Sequence, residues 1–269
     1  MAVGNLISYV GANMDNLIDM SQSQHKVLNV DFNAKLLQRR GELRAVCFSD
    51  THKRIKFSLP KCHFAICAGD VCAMGREDDF REFISWYAKQ DAVHKIYVPG
   101  NHDIFCEQKP DFVINICKAN DVHYLHNTGI TLSGINFWGT ATQPFFCNWA
   151  FNVIDARDRA RDFALIPDDT EVLITHCPPY GILDNTPPSV WNNFSTEEHV
   201  GCHALMSAVG RVKPRFHIFG HIHCAYGQFR RSGTLFVNAS ICTEQYKQLN
   251  APVVIDLNEW PEPITFEGV

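Results

Sequence analysis

Five times in this sequence a ligand-type side chain follows directly on a short apolar run. Leu43–Phe48 ends in Ser49-Asp50-Thr51-His52, and His63–Cys67 ends in Ala68-Gly69-Asp70. Val93–Val98 ends in Pro99-Gly100-Asn101-His102-Asp103, Glu171–Thr175 in His176, and Phe216–Phe219 in Gly220-His221-Ile222-His223. Carboxylates, imidazoles and one amide suit Mn, Fe, Zn or Co, whereas a structural zinc site would call for thiolates. Residues two apart in extended backbone point the same way, so Asp50 and His52 can reach a single metal ion, and His221 and His223 can serve neighbouring ones. Gly69 lets the backbone approach closely and leaves Asp70 free to share its two oxygens between two cations. Taken singly, each stretch reads equally well as a turn, a loop cap or a histidine satisfied by backbone. Their recurrence after strands is the informative feature.

The segments between them must position these ends. Asp78–Gln90 has Phe80, Phe83, Ile84 and Tyr87 on one helical face and acidic residues in its first turn, which predicts a crossover helix. Strand, turn, helix and strand in repetition imply a parallel sheet, and open α/β sheets place their sites at the carboxyl ends of strands. Pro110–Asn120 predicts a second helix. Val122–Leu125 and the Ile130–Trp138 stretch, broken at Ser133-Gly134, predict short strands with a shift towards antiparallel pairing. Phe145, Phe146 and Trp149 in the irregular 142–152 segment read first as core residues and second as a cleft cover or a base-stacking surface. The Gly181–Glu198 stretch reads as a long loop near the site. Val200–Val212 predicts a helix, Leu235–Asn238 and Val253–Leu257 predict closing strands, and Pro261 and Pro263 mark the exit.

Residues 1–40 differ from the remainder. Leu6, Val10, Met14, Leu17 and Ile18 recur at helical spacing, which predicts a partly helical N-terminal extension ahead of one domain over 41–269, with no dividing linker. A length of 269 residues, 46% hydrophobic and 20% charged content are those of a soluble globular chain with a sizeable core. The net charge of -5 provides no basic field for long nucleic acid, so a small substrate is favoured. Eleven cysteines without a C-x-x-C pair predict free thiols and a reducing, cytoplasmic location. No export signal or membrane span is expected.

As a set, D-x-H, G-D, G-N-H-D, the post-strand His176 and G-H-x-H resemble the calcineurin-like metallophosphoesterases. The segments T-H-C-P-P-Y-G-I-L-D, E-H-V-G-C and V-K-P-R-F-H-I-F-G-H-I-H are more narrowly similar to the metallophosphoesterase-domain-containing proteins, relatives of the class III cyclic nucleotide phosphodiesterases. The resemblance spans about residues 42 to 257. It implies an α/β fold of two stacked mixed β-sheets flanked by helices, a four-layer sandwich with a dinuclear metal site at the strand C-terminal ends. By the same resemblance one divalent metal falls to Asp50, His52, Asp70 and His223 and the other to Asp70, Asn101, His176 and His221, with Mn the metal for use in vitro. The implied reaction is in-line attack on phosphorus by a hydroxide shared between the metals, with His102 as proton donor and Asp103 holding its ring. Some relatives lack the counterpart of His221 and turn over poorly, so its presence implies a competent site.

One departure bears on specificity. The phosphoprotein phosphatases carry Arg immediately before Gly-Asn-His, where it meets a doubly charged phosphate, and this chain has Pro99. That predicts small or cyclic nucleotide phosphodiesters as substrates. The alternatives are a phosphomonoesterase or nuclease of the same superfamily, or a nucleotide-binding scaffold with negligible turnover.

Overall fold

Strict alternation along the strands sorts side chains into two cores. In β1 (Arg44–Phe48), Ala45 and Cys47 face one core while Val46 and Phe48 face the other. In β2 (Cys62–Cys67), Phe64 and Ile66 face the first and Ala65 and Cys67 the second, as the two-residue period of extended backbone requires. Strands buried on both faces must lie inside a layered structure. The computed structural model describes residues 43–187 and 198–258. The helix expected within 1–40, the 188–197 part of the Gly181–Glu198 loop, and Pro261 and Pro263 fall outside these residues.

Two mixed sheets result. The first has the order β13-β1-β2-β3-β4, where β3 is Ala92–Tyr97, β4 is Val122–Tyr124 and β13 is Val253–Asp256. All its pairs are parallel except β13 with β1. The second is ordered β11-β12-β10-β7-β6-β5, from Gly227–Arg231 (β11), Thr234–Asn238 (β12), Phe216–Phe219 (β10), Val172–Thr175 (β7), Ile135–Thr140 (β6) and Thr128–Leu132 (β5). Its outer pairs are antiparallel and its four inner strands parallel. A short antiparallel pair, β8 (Asn185–Thr186) with β9 (Glu198–His199), stands apart. The shift to antiparallel pairing therefore begins at β5; Val122–Tyr124 is a parallel continuation of the first sheet, returned to it by the preceding helix.

Between the sheets lies a core containing Phe64, Ile66, Ile96, Phe137, Ile174, Ile218 and Val237. Helices α1 (Glu77–Ala88), α2 (Ile104–Gln108) and α3 (Pro110–Ala119) cover the first sheet through Phe80, Phe83, Tyr87, Phe105 and Val113. On the second sheet, α4 (Ala156–Ala164) and α5 (His203–Val212) seat Phe163, Leu205 and Val209. The layers are helix, sheet, sheet and helix. Nine of the eleven cysteines are buried and all are free thiols, Cys147 and Cys224 being the exposed pair. Among the described residues, no helix is long and apolar enough to cross a membrane.

Candidate metal centre

At one end of the sandwich the sheets converge. Ser49, just past β1, donates its amide to Ala239 O at 2.9 Å and accepts from Ile241 N at 3.1 Å, so the first sheet is hydrogen-bonded to the chain leaving β12 in the second. The turns that follow β1, β2 and β3 bring Asp50, His52, Asp70, Asn101 and His102 to this end, and those after β7 and β10 bring His176, His221 and His223. Asp50, His52, Asp70 and His221 all have positive φ, between 40° and 69°. Such backbone is uncommon outside glycine and persists where surrounding contacts enforce it. Space is equally tight. A Cβ on Gly100 would strike Asp70 Oδ1, and one on Gly220 would strike Asp50 Oδ2 and Ser49 Oγ, so only glycine lets these backbones approach the carboxylates.

Asp70 Oδ2 occupies the middle. It lies 3.8 Å from His52 Nε2 and 3.4 Å from His176 Nε2, while Oδ1 accepts from the His102 amide at 2.7 Å. On one side His223 Nε2 is 3.3 Å from Asp50 Oδ1; on the other His176 Nε2 is 2.9 Å from Asn101 Oδ1. Ligand atoms of Asp50, His52 and His223 lie within 4.8 Å of one another, as do those of Asp70, His176 and His221 and those of His52, Asp70 and His102. All seven residues expected to hold metal are thus in one place.

The backbone orients the rings. Nδ1 of His52, His102, His176 and His223 faces the carbonyls of Cys72, Ala73, Ala68 and Thr243, at 3.2, 2.7, 2.8 and 3.0 Å. A carbonyl accepts only, so each Nδ1 carries the hydrogen, which leaves Nε2 as the free nitrogen of a neutral ring. His52 Nε2 and His223 Nε2 are 3.2 Å apart. Two bare lone pairs at that distance require a proton or a metal cation to bind them, and the donor set therefore fits divalent cations.

Electrostatics run the same way. Burial pushes the Asp50 carboxyl up, but the His223 hydrogen bond and the charges of His223 and His176 outweigh it and hold it below the ordinary range. Asp70 is held well below that range, where the charges of His176 and His102 overcome its burial. Burial lowers His52 to about 4 and His221 to about 3, so both are neutral at neutral pH, as candidate metal ligands must be. Against its own burial, His176 is raised to about 9 by the charge and hydrogen bond of Asp70, and His223 is raised by Asp50. Protons on His176 and His223 stand where cations would.

Asp103 does not hold the His102 ring, contrary to expectation. Its carboxylate accepts the amides of Asp70, Val71, Cys72 and Gly100 and the Tyr97 hydroxyl, at 2.8 to 3.0 Å, and is fully buried. Three residues after Gly100, it faces back into the turn rather than out beside its neighbour, and its work is to fix the loop after β2. The His102 ring is held instead by Ala73 O and by Trp149, stacked at 4.0 Å and 25°.

Beside the centre lies a cleft of about 530 Å³, with Gln143, Phe145, Phe146, Thr186, Glu244 and Tyr246 among its lining residues. Phe145 and Phe146 are 58% and 46% exposed, so the core reading of these aromatics gives way to the cleft reading. Asn152 shapes their loop, accepting from Phe146 N and donating to the carbonyls of Cys147 and Trp149. Sequence reasoning missed Tyr246, whose ring meets His52 edge-on at 4.8 Å, and Ser240, whose hydroxyl donates to Asp50 Oδ2 at 2.8 Å. Neither follows a strand with a recognisable motif.

Comparison with known proteins agrees with this geometry. The pattern described as calcineurin-like phosphoesterase matches residues 31–225. Metallophosphoesterase domain-containing protein 1 of Homo sapiens is 33% identical over 242 residues, covering 81% of this chain and 72% of that protein. Among solved structures, the phosphopantetheinyl hydrolase of Mycobacterium tuberculosis superposes with a TM-score of 0.53 at 18% identity, over 77% of this chain and 92% of that one. A Thermus thermophilus protein, TT1561, does so with a TM-score of 0.51 at 14% identity, over 73% and 88%. At such identities the two structures support the fold alone.

Proposed function

This chain belongs to the calcineurin-like phosphoesterase family, whose general chemistry is metal-dependent phosphoester hydrolysis, and from that premise we propose that it hydrolyses small nucleotide phosphodiesters, cyclic ones included. One observation carries the diester preference: among the described residues that line the cleft there is no Lys or Arg. A monoester brings two negative charges at neutral pH and a diester one, so a cleft without a cationic side chain favours the diester. Pro99, ahead of Gly100-Asn101-His102, is consistent with this, since it replaces a side chain that could meet the second charge. The exposed rings of Phe145, Phe146 and Tyr246 offer flat apolar surface for a nucleobase.

In this reading Asp50, His52, Asp70 and His223 hold one divalent cation and Asp70, Asn101, His176 and His221 a second, with Mn²⁺ the metal for assay. When bound, such a pair supplies positive charge that acidifies water and neutralises phosphate oxygens. The protein supplies the remainder. Its carbonyls fix the tautomers of the ligand rings, and Ser49 and Ser240 hold the Asp50 carboxylate through hydrogen bonds of 2.5 and 2.8 Å to Oδ2. His102, whose Nδ1-H donates to Ala73 O, acts in its imidazolium form, giving the second proton, held on Nε2, to the leaving oxygen and returning to the neutral ring. A reducing compartment such as the cytoplasm suits its eleven free thiols.

The test is to strip the protein with chelator, restore Mn²⁺, and compare bis(4-nitrophenyl) phosphate with 4-nitrophenyl phosphate. We expect metal-dependent turnover that favours the diester by roughly tenfold or more in kcat/KM, about what one missing charge contact is worth. Preference for the monoester would overturn the argument from the cleft walls. Two bound metals per chain without turnover of either ester would leave a nucleotide-binding protein.

A further inference from the structure

We propose that Trp149 is a positioning residue that holds His102 in the orientation from which its proton reaches the leaving oxygen. The inference rests on the acid role given to His102 above. A ring tied only through Nδ1, here to Ala73 O at 2.7 Å, can still swing about that bond. Two further contacts fix its plane. The Trp149 indole stacks on it at 4.0 Å and 25°, and His52 meets it edge-on at 4.6 Å and 80°. His52 is itself held at Cys72 O and Tyr246, so the His102 ring lies between two fixed walls.

Trp149 is in turn fixed to the turn it serves. The amide of Ala150 donates to Asn101 O at 3.1 Å, the amide of Phe151 donates to Glu107 Oε1 at 2.7 Å, and Trp149 O accepts from Asn152 Nδ2 at 2.9 Å. The loop leaving β6 in the second sheet is thus fastened to the turn leaving β3 in the first at Asn101, and to α2 at Glu107, before and after His102 in the chain. Core packing does not account for the indole, because Trp149 is only partly buried. Stacked rings at this separation restrict rotation about the ring plane. A proton donor displaced by about 1 Å loses up to about a hundredfold in rate.

The experiment uses the metal-loaded protein and two diesters that differ only in leaving group, ethyl 4-nitrophenyl phosphate and ethyl phenyl phosphate. Nitrophenolate departs without help, whereas phenolate gains from a donated proton. His102→Ala should lower kcat by about a hundredfold more for the phenyl ester than for the nitrophenyl ester. Trp149→Ala should show the same bias at about tenfold, in kcat rather than KM, with Trp149→Phe restoring most of it. The double variant should match His102→Ala alone, because the indole acts only through the imidazole. An equal loss on both esters for Trp149→Ala, with bound metal unchanged, or a loss that adds to that of His102→Ala, would overturn the proposal. If His102→Ala itself shows no bias the acid role fails. If His102→Ala is biased and Trp149→Ala is not, the acid role stands and only the part given to Trp149 falls. Absence of turnover by the native protein would sink both.

Discussion

Around Asp70 each histidine with its Nδ1 on a carbonyl has one nitrogen left, and whether a proton or a cation occupies it depends on pH. In the metal-free chain His176 is raised from 6.5 to about 9 by Asp70, despite its burial. A group whose folded pKa lies above its unfolded value stabilises fully below the unfolded pKa, and that contribution disappears as pH rises through the folded one. The chelated protein should therefore lose thermal stability between about pH 6.5 and 9, while the loaded protein, where a cation replaces the proton, should not. Metal uptake should release protons across the same window, and apparent affinity should rise with pH up to about 9. Calorimetry of Mn²⁺ binding at pH 7.5, in buffers of different ionisation enthalpy, reads the number directly. Release of none would mean that the cations bind elsewhere.

The turns that end β1, β2 and β3 are stiff because buried groups tie them to one another, and Asp103 is the strongest tie. Its carboxylate gathers four backbone amides and a tyrosyl hydroxyl, against the upward push of burial and of Asp70's charge on its pKa. An amide side chain keeps the shape and loses the charge. Asp103→Asn should cost about 2–4 kcal/mol of stability, seen as a lower denaturant midpoint, and should weaken metal retention, because Asp70 sits on the loop that Asp103 anchors. A stable, fully loaded variant with lowered kcat alone would restore a role beside His102. The ends of β1, β2, β3, β7 and β10 were legible in the sequence because each apolar run meets Gly, Pro or a polar ligand within two residues, and these five strands lie where the runs predict them. The α4 helix was not, since its sequence A-R-D-R-A-R-D-F-A buries only Phe163 and has no apolar stripe to read. Aromatic composition likewise could not place Phe145, Phe146 and Trp149, because a core and a cleft wall use the same residues. Their position is decided by Asn152 and Asn101, whose hydrogen bonds to the loop have no local sequence signature.

Across the whole molecule the candidate ligands are divided between the two sheets. Asp50, His52, Asp70 and Asn101 follow strands of the first, and His176, His221 and His223 follow strands of the second. Between the sheets lies an apolar core, which resists separation through burial rather than through directional bonds. At the strand ends the Ser49–Ser240 bridge and the ligand cluster are directional links between them. In the metal-free state that end gathers Asp50 and Asp70 in a buried space, compensated by protonated imidazoles and by hydrogen bonds from Ser49, Ser240 and the amides of His102 and His221. Cations held by ligands from both sheets, as proposed above, would bind the folded chain and not the unfolded one, and would stabilise it by mass action. At a hundredfold excess over Kd, one site contributes about 2.7 kcal/mol. For a domain of this size that is roughly 5–10 °C in Tm. Thermal unfolding in chelator and again after Mn²⁺ is restored should show this rise, and His221→Ala, which removes a ligand of the second sheet, should show a smaller one. If chelation takes bound metal from two per chain to none and leaves Tm unmoved, the metals do not join the sheets, and the rigidity of this end belongs to the serine bridge and to Asp103.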